Sequence, residues 1–155
     1  YKNRKYQSET KFFDKFFRRM TMSVYGMGSM FSSTDEQLDN FINEGFVCIG
    51  WKQNQKPELY TILSNIKVGD IIYVKALPFN SKSMKIKAVA IVIEKLKNKN
   101  THKGYEDCEN EIGVKWISTN INKSINVDDS SLNKRKESVF VETNCEYIKR
   151  IINLI

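Results

Sequence analysis

The chain has 155 residues with 41% hydrophobic and 12% aromatic side chains, and its 25 Lys and Arg residues exceed its 18 Asp and Glu residues to give a net charge of +7. This composition predicts one globular domain over residues 1–155 and excludes an intrinsically disordered chain. No apolar run approaches the roughly 20 residues of a membrane-spanning helix, so we expect no membrane partner. The opening residues carry no signal-peptide pattern, and we expect a cytoplasmic protein.

The positive charge favours an anionic partner such as a nucleic acid or a nucleotide. An abundance of Lys, Asn and Ile is also typical of A·T-rich genomes, so charge alone does not decide between these interpretations. The chain begins with Tyr1 instead of methionine, from which we expect a fragment or one module of a larger protein.

Three cysteines (Cys48, Cys108 and Cys145) and one histidine (His102) are the residues that bear on metal and disulfide chemistry. They are too few and too scattered for a disulfide framework, and no two cysteines form a C-x-x-C pair. The sequence therefore predicts three reduced cysteines, with Cys48 in the core, and neither a metal nor a cofactor.

The first 45 residues alternate helical and extended patterns. Residues 1–19 are predicted to contain an amphipathic helix, because four aromatic residues share one face: Phe12, Phe13, Phe16 and Phe17. A first strand is predicted to end at Gly26 and to lead into the Gly/Ser-rich loop GMGSMFSS. The next helix is predicted to begin at a cap on Ser33 or Thr34 and to end at Gly45.

Residues 46–96 read as strand, helix, strand, strand. The strand FVCIGW ends at Trp51, and Pro57 opens a short helix. Gly69 and Asp70 form a predicted turn in which Asp70 has a structural role, and a strand buried on both sides follows it. The segment SMKIKAVAIVIEKL begins with strict alternation and then becomes continuously apolar, which predicts a long strand that enters the centre of a sheet.

The last third of the chain is predicted to have two long polar loops, residues 97–110 and 119–137, because neither segment has a hydrophobic period. The segments EIGVKWIS and SVFVET read as strands, and Asn144 caps a closing helix. The whole order predicts an α+β fold in which a small, curved, mixed sheet closes into a barrel with flanking helices.

The sequence contains none of the common catalytic motifs. The sequence has no G-x-S-x-G elbow, no phosphate-binding P-loop and no dinucleotide fingerprint, and His102 lies in a polar loop. Glu94 and Lys95 are adjacent, which is the wrong spacing for a PD-(D/E)xK nuclease. We therefore expect a domain without catalytic activity.

The candidate binding residues are aromatic side chains at strand ends. These are Tyr25, Trp51, Phe79 and Trp116. In a small curved sheet such strand ends meet at one mouth, where a flat base stacks for about 1–3 kcal/mol. The loop after the first strand adds Ser29, and Lys75 with the basic segment that contains Lys97 and Lys99 is expected to contact phosphates. For Tyr25, Trp51 and Trp116, burial in the core is the alternative.

The series YGMGSM, FVCIGW, LSNIKVGDIIYVKAL and MKIKAVAIVIEKL resembles the PUA-like superfamily, in particular its EVE-like and YTH-like domains. The resemblance covers about residues 20–96. It implies a PUA/EVE-like pseudo-barrel that reads a modified or extruded base in an aromatic pocket. By position, Trp51 matches the tryptophan after the second strand, Ser29 and Met30 rim the pocket, and Lys52 and Lys56 face a phosphate backbone.

Relatives of this kind are recognition modules of bacterial modification-dependent restriction and other anti-phage systems, so the resemblance also implies an effector domain or subunit as partner. The hypothesis from sequence is a DNA- or RNA-binding domain that senses a base. Two alternatives stay open: a pocket for a free nucleotide or other small anion, and a protein-interaction or assembly module.

Overall fold

A computed structural model describes residues 21–98 and 108–155. In these ranges the chain forms eight strands: β1 Val24–Gly28, β2 Phe46–Val47, β3 Ile71–Ala76, β4 Ser83–Val92, β5 Lys97–Asn98, β6 Asn110–Ser118, β7 Lys123–Asn126 and β8 Val139–Glu142. They also contain four α-helices: α1 Leu38–Glu44, α2 Pro57–Asn65, α3 Leu132–Lys136 and α4 Cys145–Ile152. The helix predicted within residues 1–19, and the predicted loop residues 99–107 with His102, lie outside the described residues.

The strands form one mixed sheet in the order β2-β6-β4-β3-β1-β8, with β5 beside β6 and β7 beside β4. Strands β1 and β3 are parallel and pair Gly28 with Lys75, whereas the other neighbours are antiparallel. Register shifts interrupt the β3–β4 and β4–β6 pairs, and such bulges bend strands. The sheet curls into a half-barrel flanked by the four helices, which confirms the predicted α+β class.

Two apolar clusters cover the two faces of the sheet. The first packs α1 and α2 against the sheet through Phe41, Leu59 and Leu63, and the second packs α4 through Tyr147 and Ile151. Strands β1, β3 and β4 supply residues to both clusters, which explains why their sequences are almost continuously apolar. Among the described residues, no helix has the length and apolar character needed to cross a membrane.

Several local predictions are confirmed. Gly45 ends α1 in the left-handed conformation (φ 70°), and the Asn144 side chain accepts hydrogen bonds from the backbone at the start of α4. Gly69 has a φ of 93°. The buried Asp70 carboxylate next to it accepts hydrogen bonds from the backbone N–H groups of Ser23 and Lys67, both at 2.9 Å, so its role is structural.

Three predicted boundaries in the first half are wrong. The strand predicted over FVCIGW does not reach Trp51, because only β2 Phe46–Val47 pairs with β6. The first strand does not end at Gly26 but continues to Gly28. Gly26 lies within the strand because the Phe140 ring of β8 occupies the space that a side chain would need, so this glycine serves close packing and does not mark a turn. Helix α1 begins at Leu38 rather than after a cap at Ser33 or Thr34, because residues 30–36 close their own turn through a Met30–Glu36 bridge.

The predicted loop over residues 119–137 is also wrong. It contains β7, the 3-10 turn Asp129–Ser131 and α3. The apolar residue Ile125, isolated in the sequence, is buried because β7 pairs with the first half of β4. The predicted loop over residues 97–110 likewise starts with β5, which pairs with β6. Elements of two to five residues are too short for a hydrophobic period to be visible.

The prediction of three reduced cysteines is wrong for two of them. Cys48 and Cys108 form a disulfide with a Cα–Cα distance of 5.9 Å across 60 residues of sequence, and both residues are buried. Cys145 is free and exposed. The bond links the segment before Gly50 and Trp51 to the residues that lead into β6, so it fastens together two stretches that are remote in sequence.

Candidate functional site

A cavity of about 430 Å³ opens at the edge of the sheet where the parallel strands β1 and β3 both end. Its apolar walls are Met30, Phe31, Ile49, Trp51, Leu77 and Pro78. Its polar side chains are Lys75, Lys87, Lys136 and Ser138. The volume lies within the range of about 300–1,000 Å³ that is usual for small-molecule and cofactor sites.

Gly50 and Trp51 form one wall of this cavity. A side chain at Gly50 would lie 2.8 Å from the Phe31 ring, so glycine allows the loop after β1 to pack against the segment after β2. The Trp51 indole Nε1 donates a hydrogen bond to Ser138 Oγ at 3.1 Å, and the Trp51 carbonyl accepts one from the Tyr60 hydroxyl at 2.8 Å. Trp51 is nevertheless 43% exposed, which makes it a fixed aromatic surface that is open to a ligand.

Lys75 lies at the end of β3 and is 6% exposed. Its ammonium donates a hydrogen bond to the carbonyl oxygen of Glu137 at 2.8 Å. Burial lowers the pKa of Lys75 from 10.5 to about 8; the charge of Glu137 acts in the opposite direction, and that of Lys87 adds to the lowering. The side chain therefore carries its positive charge into a poorly solvated site at neutral pH.

Lys87 of β4 supplies a second cation to the cavity, and Ser29 and Glu36 fix the position of its ammonium group. Its Nζ donates to Ser29 Oγ at 3.2 Å and forms an ion pair with the Glu36 carboxylate. Burial raises the pKa of Glu36, but the hydrogen bonds from Lys87, Ser29 and the Leu38 backbone outweigh burial and lower it below its ordinary value. Glu36 thus stays ionised and keeps the Lys87 ammonium beside the cavity.

The burial of Lys75 predicts a measurable effect of pH on stability. Because its pKa is lower in the folded chain than in the unfolded chain, the charged form opposes folding below about pH 8, and this penalty disappears as the pH rises toward 10.5. We expect Lys75→Met to raise the free energy of unfolding at neutral pH by up to about 3 kcal/mol. Urea unfolding of both proteins as a function of pH should show the difference shrinking above pH 8. A difference that stays constant with pH would contradict the assignment.

The structure brings several of the sequence candidates together. Trp51, Met30 and Lys75 line the same cavity, and Ser29 lies fully buried beside it, bonded to Lys87. Phe79 follows the wall residue Pro78 and is 85% exposed.

Lysine side chains accompany two of these aromatic residues. The Lys136 Nζ lies 5.4 Å from the centroid of the Phe79 ring, and Lys56 Nζ lies at the same distance from the Trp51 ring. Lys52 is exposed next to Trp51.

Two aromatic candidates belong to the core and not to the cavity. Tyr25 is 4% exposed and packs in the first apolar cluster. Trp116 packs against the same cluster, and its indole Nε1 donates to the Phe41 carbonyl at 3.0 Å. Both side chains pack in or against the first apolar cluster, which α1 and α2 share. The prediction that they line the binding site is therefore not supported, since neither residue lines the cavity.

The two candidates from the basic segment are not part of the cavity. Lys97 lies in β5 and pairs with Glu94 and, at 3.9 Å, with Glu111. It borders a separate shallow depression that also includes Tyr60. Lys99 lies outside the described residues.

The sequence interpretation identified only Met30, Trp51 and Lys75 among the residues that line the cavity. The aromatic and polar side chains that it missed are Phe31, Lys87, Lys136 and Ser138. Lys136 was assigned to the predicted polar loop, and Lys87 was assigned only to an alternating strand. A signal existed for Phe31, because an aromatic residue in a Gly/Ser-rich loop next to a later Gly-Trp pair indicates close packing. No local signal marks Lys136 or Ser138, which reach the site through the pairing of β8 with β1.

No family model matches the sequence, and a search of curated proteins returns no match. Solved structures do match. A hypothetical protein from Leishmania major is 14% identical with a TM-score of 0.53, covering 86% of this chain and 94% of that one.

Two further matches have named domains. The YTH domain of Zygosaccharomyces rouxii MRB1, solved in complex with N6-methyladenosine RNA, is 12% identical with a TM-score of 0.52 and 87% coverage of both chains. The DUF55 domain of human thymocyte nuclear protein 1 is 12% identical with a TM-score of 0.55, covering 85% of this chain and 98% of that one. At these identities the matches show the fold alone, and the fold of this chain is similar to that of the YTH and DUF55 domains.

Proposed function

We propose that the chain is a non-catalytic nucleic-acid-binding domain that takes one unpaired or flipped base into the cavity beside Trp51. The observation that carries this proposal is the position of Trp51, whose indole is held by one hydrogen bond and whose backbone carbonyl is held by another. The residue is 43% exposed, and it lines a cavity whose side chains, among the described residues, include cations but no carboxylate. A fixed aromatic surface suits base stacking, and cations suit the adjoining phosphates.

The mouth of the cavity supports the same proposal. Exposed Phe79, with Lys136 beside it, is suited to contact a nucleotide next to the inserted base, while Lys52 and Lys56 flank Trp51 on the other side. The YTH match supports it by analogy of fold, because that domain was solved with a modified RNA. The family resemblance further suggests a recognition module, working with an effector domain or subunit in bacterial anti-phage defence.

The test is fluorescence anisotropy with single- and double-stranded DNA and RNA, plain and base-methylated, at two salt concentrations. We expect binding that weakens with salt, because lysine–phosphate contacts release counterions. Trp51→Ala should weaken binding to the preferred oligonucleotide about 5- to 150-fold, the equivalent of about 1–3 kcal/mol of lost stacking.

The matched control is Ile117→Ala, which truncates a 47% exposed apolar residue of β6 that is not part of the cavity wall. Its affinity should equal that of the wild type. Binding that is unchanged in Trp51→Ala, or reduced equally in both variants, would show that the base does not enter this cavity.

A second candidate function is supported by a different observation. Three lysines line the same cavity, Lys75, Lys87 and Lys136, and this arrangement also suits a free nucleotide. In that case a mononucleotide should bind with the same Trp51 dependence as an oligonucleotide, and the affinity should not increase with strand length.

A further inference from the structure

The buried ammonium of Lys75 has more donors than the protein satisfies. A lysine ammonium carries three N–H groups. Among residues 21–98 and 108–155, the Glu137 carbonyl is its one hydrogen-bond acceptor. Leaving a buried charged donor without a partner is unfavourable, and here the side chain also lines the cavity. The remaining donors are therefore available to a bound molecule.

Each of the side-chain acceptors beside the cavity, by contrast, already has a donor within the protein. Ser138 Oγ accepts from Trp51, Ser29 Oγ accepts from Lys87, and the Glu36 carboxylate is paired with the same lysine. No Asp or Glu is among the described residues that form the wall. An amino group on a ligand would meet donors, whereas a carbonyl oxygen or an unprotonated ring nitrogen would meet the Lys75 ammonium.

We propose that Lys75 is a specificity-determining residue that selects bases with a keto edge, guanine and uracil or thymine, over the amino bases adenine and cytosine. This inference rests on the proposed function, because it assumes that the base enters beside Trp51. Guanine offers two neighbouring acceptors, O6 and N7, which are the usual partners of a lysine that reads guanine, and uracil and thymine offer O4. Adenine and cytosine present an exocyclic amine at the corresponding position, which would face the ammonium.

Lys75 is suited to this task because the fold restricts its position. It sits at the β3 end opposite Gly28 of β1, and the Glu137 carbonyl holds its ammonium from the side of α3. The charged groups nearest to it are Lys87 of β4 and Glu137, and neither occupies its free donors. A donor that is fixed before binding discriminates better than a mobile surface lysine, because little freedom is lost on binding.

The experiment uses short duplexes that are identical except for one bulged nucleotide, G, A, C or T in DNA and G, A, C or U in RNA, with the fully paired duplex as reference. We expect the keto bulges to bind about tenfold more tightly than the amino bulges. Lys75→Met should bring the four bulges to within about threefold of one another, while Lys115→Met, which removes an exposed lysine of β6, should leave the preference intact. Thermal unfolding of Lys75→Met confirms that the variant is folded.

The outcomes separate this inference from the proposed function. If amino bulges bind as tightly as keto bulges and binding still depends on Trp51, the role of Lys75 is wrong and the proposed function stands. If no bulge binds in a Trp51-dependent way, both are wrong. Free guanosine and adenosine monophosphates, added as competitors, identify the source of the keto group. If free guanosine monophosphate competes as effectively as the guanine-bulged duplex does, the keto preference is supported, but the ligand is a free nucleotide and not a nucleic acid.

Discussion

Arg135→Ala is expected to lower the free energy of unfolding by about 3–5 kcal/mol, because it leaves the Glu142 carboxylate charged and buried without its main partner. Arg135 and Glu142 are 2% and 3% exposed. The guanidinium donates to both carboxylate oxygens, at 3.2 and 2.5 Å, and the Tyr73 hydroxyl donates to the same carboxylate at 2.8 Å. Urea denaturation measures the effect.

The same substitution should weaken ligand binding, since Arg135 fixes α3 and the residues directly after it. The Arg135 Nη1 donates to the Ser131 carbonyl at 3.1 Å, and the guanidinium carbon lies 4.6 Å from the centroid of the Tyr147 ring. Lys136 and Ser138, which follow in sequence, form part of the cavity. Without the Arg135 contacts, Lys136 and Ser138 are no longer held in place, and the part of the cavity wall that they form becomes less ordered.

Two further variants make this prediction specific. Lys134→Ala removes an exposed cation from the same helix and should change stability by less than about 0.5 kcal/mol. The double variant Arg135→Met with Glu142→Leu replaces the buried pair by apolar side chains and should recover much of the loss in Arg135→Ala. An Arg135→Ala protein as stable as Lys134→Ala would show that the buried pair does not anchor α3.

The parts of the fold that could be predicted from sequence are those with local causes. Gly45, Gly69 and Asn144 act within a few residues of themselves, through a left-handed backbone or a side chain that caps a helix. The long apolar strand β4 also has a clear pattern. The failures lie in residues 119–137, where β7 and α3 depend on the edge of β4 and on Arg135 reaching Glu142, neither of which has a local signature.

The candidate site also contains some residues that can be predicted from the sequence and others that cannot. Trp51 was identified because a tryptophan at a strand exit, after a glycine and before a polar loop, is unusual for a core residue, and its 43% exposure agrees with that reasoning. Trp116 lies inside β6 and opposite α1, where its indole Nε1 donates to the Phe41 carbonyl, which also accepts the Gly45 N–H. The position of Trp51 before a polar loop can be read from the sequence, whereas the contact of Trp116 with α1 depends on the tertiary structure. The parallel pairing of β1 with β3, which brings Lys75 to the cavity, also spans too much sequence to be read locally.

The Cys48–Cys108 disulfide predicts a strong effect of reducing agent on stability. A cross-link that closes a loop of 60 residues restricts the unfolded chain and stabilises the folded chain by about 4 kcal/mol in the chain-entropy description. We therefore expect a reductant to shift the midpoint of urea unfolding to a clearly lower concentration. The Cys108→Ala variant should show the low midpoint with or without reductant, whereas Cys145→Ala, which lacks only the exposed free thiol, should respond as the wild type does.

Thiol alkylation followed by mass spectrometry tests the bond itself. The denatured, unreduced protein should take up one label, at Cys145, and the reduced protein should take up three. Reduction should also weaken Trp51-dependent binding, because Cys48 lies three residues before Trp51, and the adjoining Gln53 backbone N–H donates to Glu109 at 2.8 Å beside the other half of the bond. Three labels without reduction, together with an unfolding midpoint that does not change with reductant, would show that the two buried cysteines are thiols and that non-covalent contacts hold the Trp51 segment against β6.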